Sequence, residues 1–180
     1  MFIQTQLTPN PNSLKFIPGK KVSNNGPVEV IEKNQINNEL IRNIFSVNGV
    51  TSLFLGEDFL SVNKKADSEW EDLKHIIISL ITEFYSDGKE FIIDKNLDVE
   101  KNSELIEIEK QIIKILDTKI RPAVAKDGGD IKFIEFKNGV VSVQLQGSCS
   151  GCPSSTMTLK QGVQNLLCHY LPEVKEVKAV

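Results

Sequence analysis

Residues 147–153 read Gly147-Ser148-Cys149-Ser150-Gly151-Cys152-Pro153 and place two of the three cysteines of the chain in a C-x-x-C spacing. Glycine before and between the cysteines lets the backbone turn tightly and lets a bulky group approach it. Pro153 suits the first position of a helix, because its φ is already helical and its missing N–H needs no partner there. Cys152 then falls near the helix N-terminus, where the dipole favours a thiolate. The stretch therefore predicts two soft anionic ligands on an open loop.

The sequence around this loop predicts a helix, a hairpin and a second helix. Apolar residues recur at helical spacing before the hairpin, and Pro122 is expected to end or kink that first helix. Asn138-Gly139, between two alternating segments, predicts a tight hairpin turn. The last helix is expected to run from Pro153 to about Leu171, with Tyr170 facing the core and a short strand following.

The N-terminal half has another order of elements and no cysteine. Turn residues at Pro9-Asn10-Pro11-Asn12 separate two predicted strands, and a helix, a hairpin and an apolar-striped helix follow. Residues 94–103 are polar and charged, which is typical of a linker. We predict an α+β protein of two small two-layer domains, 1–93 and 104–180, joined by this linker. The second domain would have helix–hairpin–helix order, with the C-x-x-C loop before its last helix.

Composition and charge argue against several classes of partner. The chain has 180 residues, of which 40% are hydrophobic, as in ordinary globular proteins. Its formal net charge is −3, from 21 basic and 24 acidic residues, whereas a nucleic-acid partner requires a basic face. The apolar runs are too short to span a bilayer. The first residues resemble neither a signal peptide nor an arginine-rich transit peptide. We therefore expect neither nucleic acid nor a membrane as a partner.

A C-x-x-C pair has three chemical interpretations. A thioredoxin-like redox pair normally lies in a βαβ unit with parallel strands, whereas the predicted order here has an antiparallel hairpin. A structural zinc ion needs four protein ligands. Cys168 and His169 lie about 24 Å further along the last helix, and His75 lies in the other half. A 4Fe–4S cluster usually takes four cysteine thiolates, which two copies of the loop would supply at a subunit interface.

The other candidate residues are expected to be structural. Cys168 should be partly exposed and without a metal role, and His75 should lie at or near the surface. Asp127 and Asp130 flank two glycines, which is typical of turn chemistry. Since no Ser-His-Asp set and no glycine-rich phosphate loop stand out in the sequence, an enzyme is not predicted.

Several separated motifs resemble the Nfu family, whose C-terminal domain is that of NifU. The C-terminal motifs are Arg121-Pro122-Ala123-Val124-Ala125-Lys126-Asp127-Gly128-Gly129-Asp130, the residues from Gly147 to Ser155, and His169-Tyr170-Leu171-Pro172-Glu173-Val174. The N-terminal ones are residues 1–5, residues 8–16, and Gly49-Val50 with Phe54-Leu55-Gly56. Together they cover nearly the whole chain.

The resemblance implies an iron–sulfur cluster scaffold or carrier. A 4Fe–4S cluster would bridge two chains, with Cys149 and Cys152 of each as ligands, so that the loaded protein is a homodimer. It would pass the cluster to apo iron–sulfur client proteins. Cys168 has no place in the family motif. The expected compartment is the bacterial cytoplasm, with the mitochondrial matrix as the alternative. The alternative function is a thiol–disulfide oxidoreductase that uses the C-x-x-C pair.

Overall fold

The computed structural model describes residues 1–24, 26–90, 106–151 and 153–180. It contains helices and two separate sheets, which confirms the α+β class. The predicted linker, 94–103, lies outside the described residues, as do the adjoining boundaries at 93 and 104. The division into 1–93 and 104–180 therefore stays a prediction. Of the described helices, none combines the length and the apolar character that a membrane span requires.

The N-terminal half, residues 1–90, is a five-stranded sheet with two helices packed on one face. Its elements are β1 (Gln4–Leu7), β2 (Ser13–Ile17), β3 (Val28–Val30), α1 (Glu39–Phe45), β4 (Val50–Leu55), β5 (Leu60–Lys64) and α2 (Trp70–Ser86). The strand order is β1-β2-β5-β4-β3, and all neighbours are antiparallel. The predicted stripe of α2 is buried against the sheet at Leu73, Ile77, Ile81 and Phe84.

The two faces of this sheet differ in polarity because successive strand residues point to opposite sides. On β5, Leu60 and Val62 belong to the hydrophobic cluster under the helices, whereas Ser61 and Asn63 point to the other side. On β2, Phe16 faces the cluster and Lys15 faces away from it. The polar side is covered by the C-terminal half, as described below.

The C-terminal half, residues 106–180, has the predicted helix–hairpin–helix order. Its elements are α3 (Glu107–Ile115), a π-helical turn (Leu116–Ile120), α4 (Arg121–Lys126), β6 (Gly129–Lys137), β7 (Val140–Gly147), α5 (Pro153–Tyr170) and β8 (Glu176–Ala179). The sheet order is β6-β7-β8. Asn138 and Gly139 have φ of 51° and 81°, which are the values of the predicted two-residue hairpin turn.

The helix before the hairpin does not end at Pro122. It passes through the π-helical turn and continues to Lys126 as α4. Pro122 lies in the first turn of α4, where a missing backbone N–H leaves no helical bond unmade. Arg121 donates from Nε and Nη2 to both carboxylate oxygens of Asp130 at 2.9 and 2.8 Å, and from Nη1 to Asp117. This bidentate ion pair holds the segment against the start of β6.

One further prediction, which concerns the last helix, needs correction, whereas the predicted final strand is present as β8. Tyr170 was expected in the core but is 49% exposed. The helix ends there, and the buried Leu171 takes that place in the core. The final strand, β8, pairs with β7 in parallel. The C-x-x-C loop thus lies between the first strand and the helix of a β7–α5–β8 unit, so the sequence argument against a redox pair loses its basis.

Candidate functional site

The cysteine loop begins where β7 ends, at Gly147. This residue has φ of +67°, a backbone conformation that suits glycine. A Cβ there would lie 2.7 Å from the carbonyl oxygen of Gly128 and 3.0 Å from the ring of Phe54. The close approach of two backbone segments therefore requires glycine at this position. At its other end the loop meets α5, which begins at Pro153 as predicted.

The loop is tied to the turn that precedes β6. The backbone N–H of Ser148 donates to the carbonyl of Gly128 at 3.2 Å, and its hydroxyl donates to the carbonyl of Asp127. Within the loop, the hydroxyl of Ser150 donates to the carbonyl of Gly147 at 2.8 Å. These bonds satisfy polar backbone groups that the end of the strand leaves unpaired.

Cys149 is buried, which corrects the prediction of an open loop. Its side chain is 7% exposed and packs in the hydrophobic cluster that includes Val124 and Leu145. A Cβ on Gly129 would come within 2.6 Å of the Cys149 sulfur. The glycine therefore leaves just enough space for the thiol on the inner side of the loop.

Cys152, the other predicted ligand, lies outside the described residues. The distance between the two predicted ligands thus stays untested. The carbonyl of Cys149 accepts a hydrogen bond from the Thr156 hydroxyl at 3.3 Å, which links the loop to the first turns of α5. The role of both cysteines as ligands is still a prediction at this stage.

A cleft of about 370 Å³ opens beside Cys149. Its walls come from the turn, the loop, α5 and the N-terminal half, through Pro9, Val124, Asp127, Ser148, Cys149, Thr158 and Leu159. Because Pro9 belongs to the β1–β2 turn, the N-terminal half contributes one wall. The surroundings of the cysteine are thus built by both halves of the chain.

Two amides and a carboxylate of the N-terminal half bond directly to the loop backbone. The side-chain nitrogen of Asn10 donates to the carbonyls of Ser148 and Ser150 at 3.1 and 3.3 Å. Asn63 donates to the carbonyl of Gly147 at 3.1 Å, and the N–H of Gly147 donates to Glu29 Oε1 at 3.1 Å. Burial raises the pKa of Glu29, and the hydrogen bond from Gly147 partly offsets this.

Two more polar side chains bond to the neighbouring turn. The hydroxyl of Ser61 donates to the carbonyl of Gly128 at 2.7 Å. The ammonium of Lys15 donates to the carbonyl of Ala125 at 2.9 Å, at the C-terminal end of α4 where the helix dipole favours a cation. Burial lowers the pKa of Lys15, while nearby Asp58 and Asp127 act in the opposite direction.

The remaining candidates have structural surroundings. His75 is exposed on α2. Cys168 is partly exposed, as predicted, and packs against the C-terminal hydrophobic cluster. Asp130 is paired with Arg121, so the turn aspartates form no paired acid site. Among the described residues, no three His, Cys, Asp or Glu side chains are close enough to hold a metal ion.

Family models match both halves of the chain. The model described as "Scaffold protein Nfu/NifU N terminal" matches residues 3–88, and the one described as "NifU-like domain" matches residues 112–178. A human protein, "NFU1 iron-sulfur cluster scaffold homolog, mitochondrial", is 44% identical over an alignment of 183 residues that covers 100% of this chain and 72% of the human one. The chain belongs to the Nfu/NifU family. The resemblance inferred from the separated motifs is therefore confirmed.

Other members of this family are similarly close in sequence. "NifU-like protein 4, mitochondrial" from Arabidopsis thaliana is 42% identical over 185 residues, covering 99% of this chain and 65% of the plant protein. The chain thus spans just under two thirds of that relative's length. The solution structure of a NifU-like protein from Saccharomyces cerevisiae has 33% identity and a TM-score of 0.48, covering 53% of this chain and 87% of the yeast one.

The sequence predictions missed the polar residues that contact the loop from the N-terminal half. Asn10 was assigned only to a turn, and no contact with the loop was predicted for Lys15, Ser61 or Asn63. A signal was present in the alternation of β5, where polar residues occupy every second position. Alternation shows that these residues share a face, but it cannot show that another part of the chain covers that face.

Proposed function

We propose that the chain is a scaffold that holds an iron–sulfur cluster as cargo and passes it to apo-proteins. Its membership in the Nfu/NifU family supports this role, and the human relative is named as an iron–sulfur cluster scaffold homolog. The observation that carries the proposal is the C-x-x-C loop between β7 and α5, inside the segment that matches the NifU-like domain. Thiolate is the ligand that iron–sulfur clusters take from proteins.

The proposed ligands are Cys149 and Cys152 of two chains, around one 4Fe–4S cluster. The support is a count of ligands. The described residues offer no group of three metal-binding side chains, and Cys168 lies near the far end of α5. One chain then supplies two thiolates where a 4Fe–4S cluster usually takes four. We therefore propose a homodimer in the loaded state, and domains 1–93 and 104–180 around the linker 94–103.

The alternative function is thiol–disulfide exchange by the same pair. One structural observation supports this alternative. The loop lies in a unit of two parallel strands and a helix, which is a usual setting of redox C-x-x-C motifs. Against it, Cys149 is buried, whereas attacking cysteines are at least partly exposed. Together with the relatives' names, this supports the scaffold role over the alternative, and we propose no catalytic role.

The proposed partners are apo iron–sulfur proteins. Nucleic acid is not proposed as a partner, because the net charge is −3. For the compartment, the names of the Arabidopsis and human relatives favour the mitochondrial alternative over the bacterial cytoplasm that the sequence first indicated.

Anaerobic reconstitution with iron and sulfide tests the function. The loaded protein is expected to show the brown absorption of a cluster and to activate a purified apo-enzyme that requires a 4Fe–4S cluster. A parallel assay measures disulfide reduction with a dithiol as electron source. A colourless protein that reduces disulfides catalytically would replace the scaffold with the alternative. A loaded protein that never activates the apo-enzyme would contradict the transfer step.

A further inference from the structure

Five polar side chains of the N-terminal half contact the backbone of the C-terminal half around Cys149. We call them the docking face, and they are Asn10, Lys15, Glu29, Ser61 and Asn63. They come from the β1–β2 turn and from strands β2, β3 and β5. Among the described residues of the C-terminal half, their hydrogen-bond partners lie in two segments, residues 125–128 and 147–150. The contacts therefore converge on the cysteine loop and on the turn beneath it.

Three of the five residues of the docking face are buried, which is unusual for polar residues. Asn10, Lys15 and Ser61 are 5%, 8% and 1% exposed. Buried polar groups require hydrogen bonds, because losing water without a replacement is costly. Asn10, Lys15 and Ser61 each donate such a bond to the other half of the chain. A face of this kind is built for contact with a partner rather than with water.

The partner is recognised through its backbone, and this requires glycine at two positions. A Cβ on Gly128 would lie 2.6 Å from the hydroxyl oxygen of Ser61, and one on Gly147 would lie 3.0 Å from the ring of Phe54. Both glycines have positive φ, +81° and +67°. The fit between the docking face and the loop thus depends on the two tight turns that also position Cys149.

Docking covers part of the surface around Cys149 and leaves the cleft beside it as the remaining approach. Asn10 bonds to the carbonyls of both residues that flank this cysteine, Ser148 and Ser150. On the inner side, the sulfur packs against Gly129 and the hydrophobic cluster. A second chain that shares a cluster here would need its own loop beside the same cysteine. The docking face and a second loop therefore compete for one surface.

We propose that the docking face is a recognition surface for this chain's own cysteine loop, and that it must leave the loop before a second chain can share a cluster there. The first part stands on the contacts alone, and the second part rests on the proposed function. Because the two events compete, cluster loading and docking weaken each other by the same factor.

The first test measures the accessibility of Cys149 in the full-length apo protein, reduced and without iron. N-ethylmaleimide is added briefly, and mass spectrometry assigns the alkylation rate of each cysteine. Asn10→Asp keeps the oxygen that accepts from the N–H of Asn12 but removes the donor to the loop, and Ser61→Ala removes the bond to Gly128. Each is expected to raise the Cys149 rate at least about fivefold, since one neutral hydrogen bond contributes about that factor, and the double variant about twenty-five-fold or more.

The control is the double variant Asn43→Asp and Ser79→Ala, which makes the same chemical changes at exposed positions on α1 and α2. It should alkylate like the wild type. Cys168 serves as an internal reference and should react equally in all proteins, which also shows that each variant is folded. An unchanged Cys149 rate in the docking-face double variant, with the Cys168 rate also unchanged, overturns the docking proposal.

The second test follows the initial rate of cluster formation in the same proteins. The docking-face double variant should load faster than the wild type by about the factor seen in alkylation, and it should reach the same final iron content. Loading at the wild-type rate despite faster alkylation overturns the competition. If even the wild type binds no cluster, the proposed function fails, and the alkylation rates by themselves decide the docking.

Discussion

Replacing Gly147 with alanine should destabilise the protein through two separable effects. With φ of +67°, an alanine would adopt a left-handed conformation, at about 1–2 kcal/mol. Its Cβ would also lie 2.7 Å from the Gly128 carbonyl oxygen and 3.0 Å from Phe54. Forcing an extra carbon into such a contact costs about 1–3 kcal/mol. The sum of these two ranges is about 2–5 kcal/mol of unfolding free energy.

Gly151→Ala is the matched control in the same loop. Gly151 also has a positive φ, +76°. No described atom lies within 4 Å of its added Cβ, so only the conformational cost of about 1–2 kcal/mol applies. The difference between the two variants therefore isolates the contact with the turn and the N-terminal half.

Urea unfolding of the reduced apo proteins, followed by circular dichroism, measures both variants. Gly147→Ala should lose more stability than Gly151→Ala by about 1–3 kcal/mol, and thermal midpoints should fall by about 2–4 °C per kcal/mol for a chain of this size. Equal losses in the two variants would refute the close packing that we infer around Gly147.

Three further predictions concern the cysteines and Glu29. Cys149→Ser and Cys152→Ser should each abolish stable cluster binding and retain the fold, because each substitution removes two of the four proposed thiolates from the dimer. Normal iron content in either variant would contradict this. Cys168→Ala should leave iron content and transfer near the wild-type level, since this residue lies near the far end of α5; loss of the cluster in a folded variant would show otherwise. Burial raises the pKa of the Glu29 carboxyl above 4.5. The preference of the folded protein for the protonated carboxyl stabilises it fully below pH 4.5, and this stabilisation is lost as the pH rises through the raised pKa. In urea unfolding, the stability of Glu29→Gln relative to the wild type should therefore increase between pH 4.5 and neutrality. A difference in unfolding free energy that stays constant across that range would exclude this effect.

Local patterns in the sequence predicted the elements that local chemistry determines. Asn138-Gly139 predicted the hairpin because few other residue pairs accept two positive φ angles. Pro153 predicted the start of α5 because a proline there loses no hydrogen bond. These features depend on neighbours in the chain, and the structure confirms them.

Contacts between distant parts of the chain could not be predicted in this way. Asn10 bonds to the cysteine loop although it is 138 residues away from Ser148 in sequence. Arg121, which directly follows the π-helical turn, pairs with Asp130 at the start of β6. The parallel pairing of β8 with β7 likewise follows from packing, because periodicity identifies a strand but not its partner.

Native mass spectrometry of the full-length protein, before and after anaerobic reconstitution, tests the central claim most directly. The ligand count predicts a monomer without metal and, after loading, two chains that carry four irons and four sulfides. A loaded monomer with four irons and no added thiol would contradict the claim that two chains share one cluster.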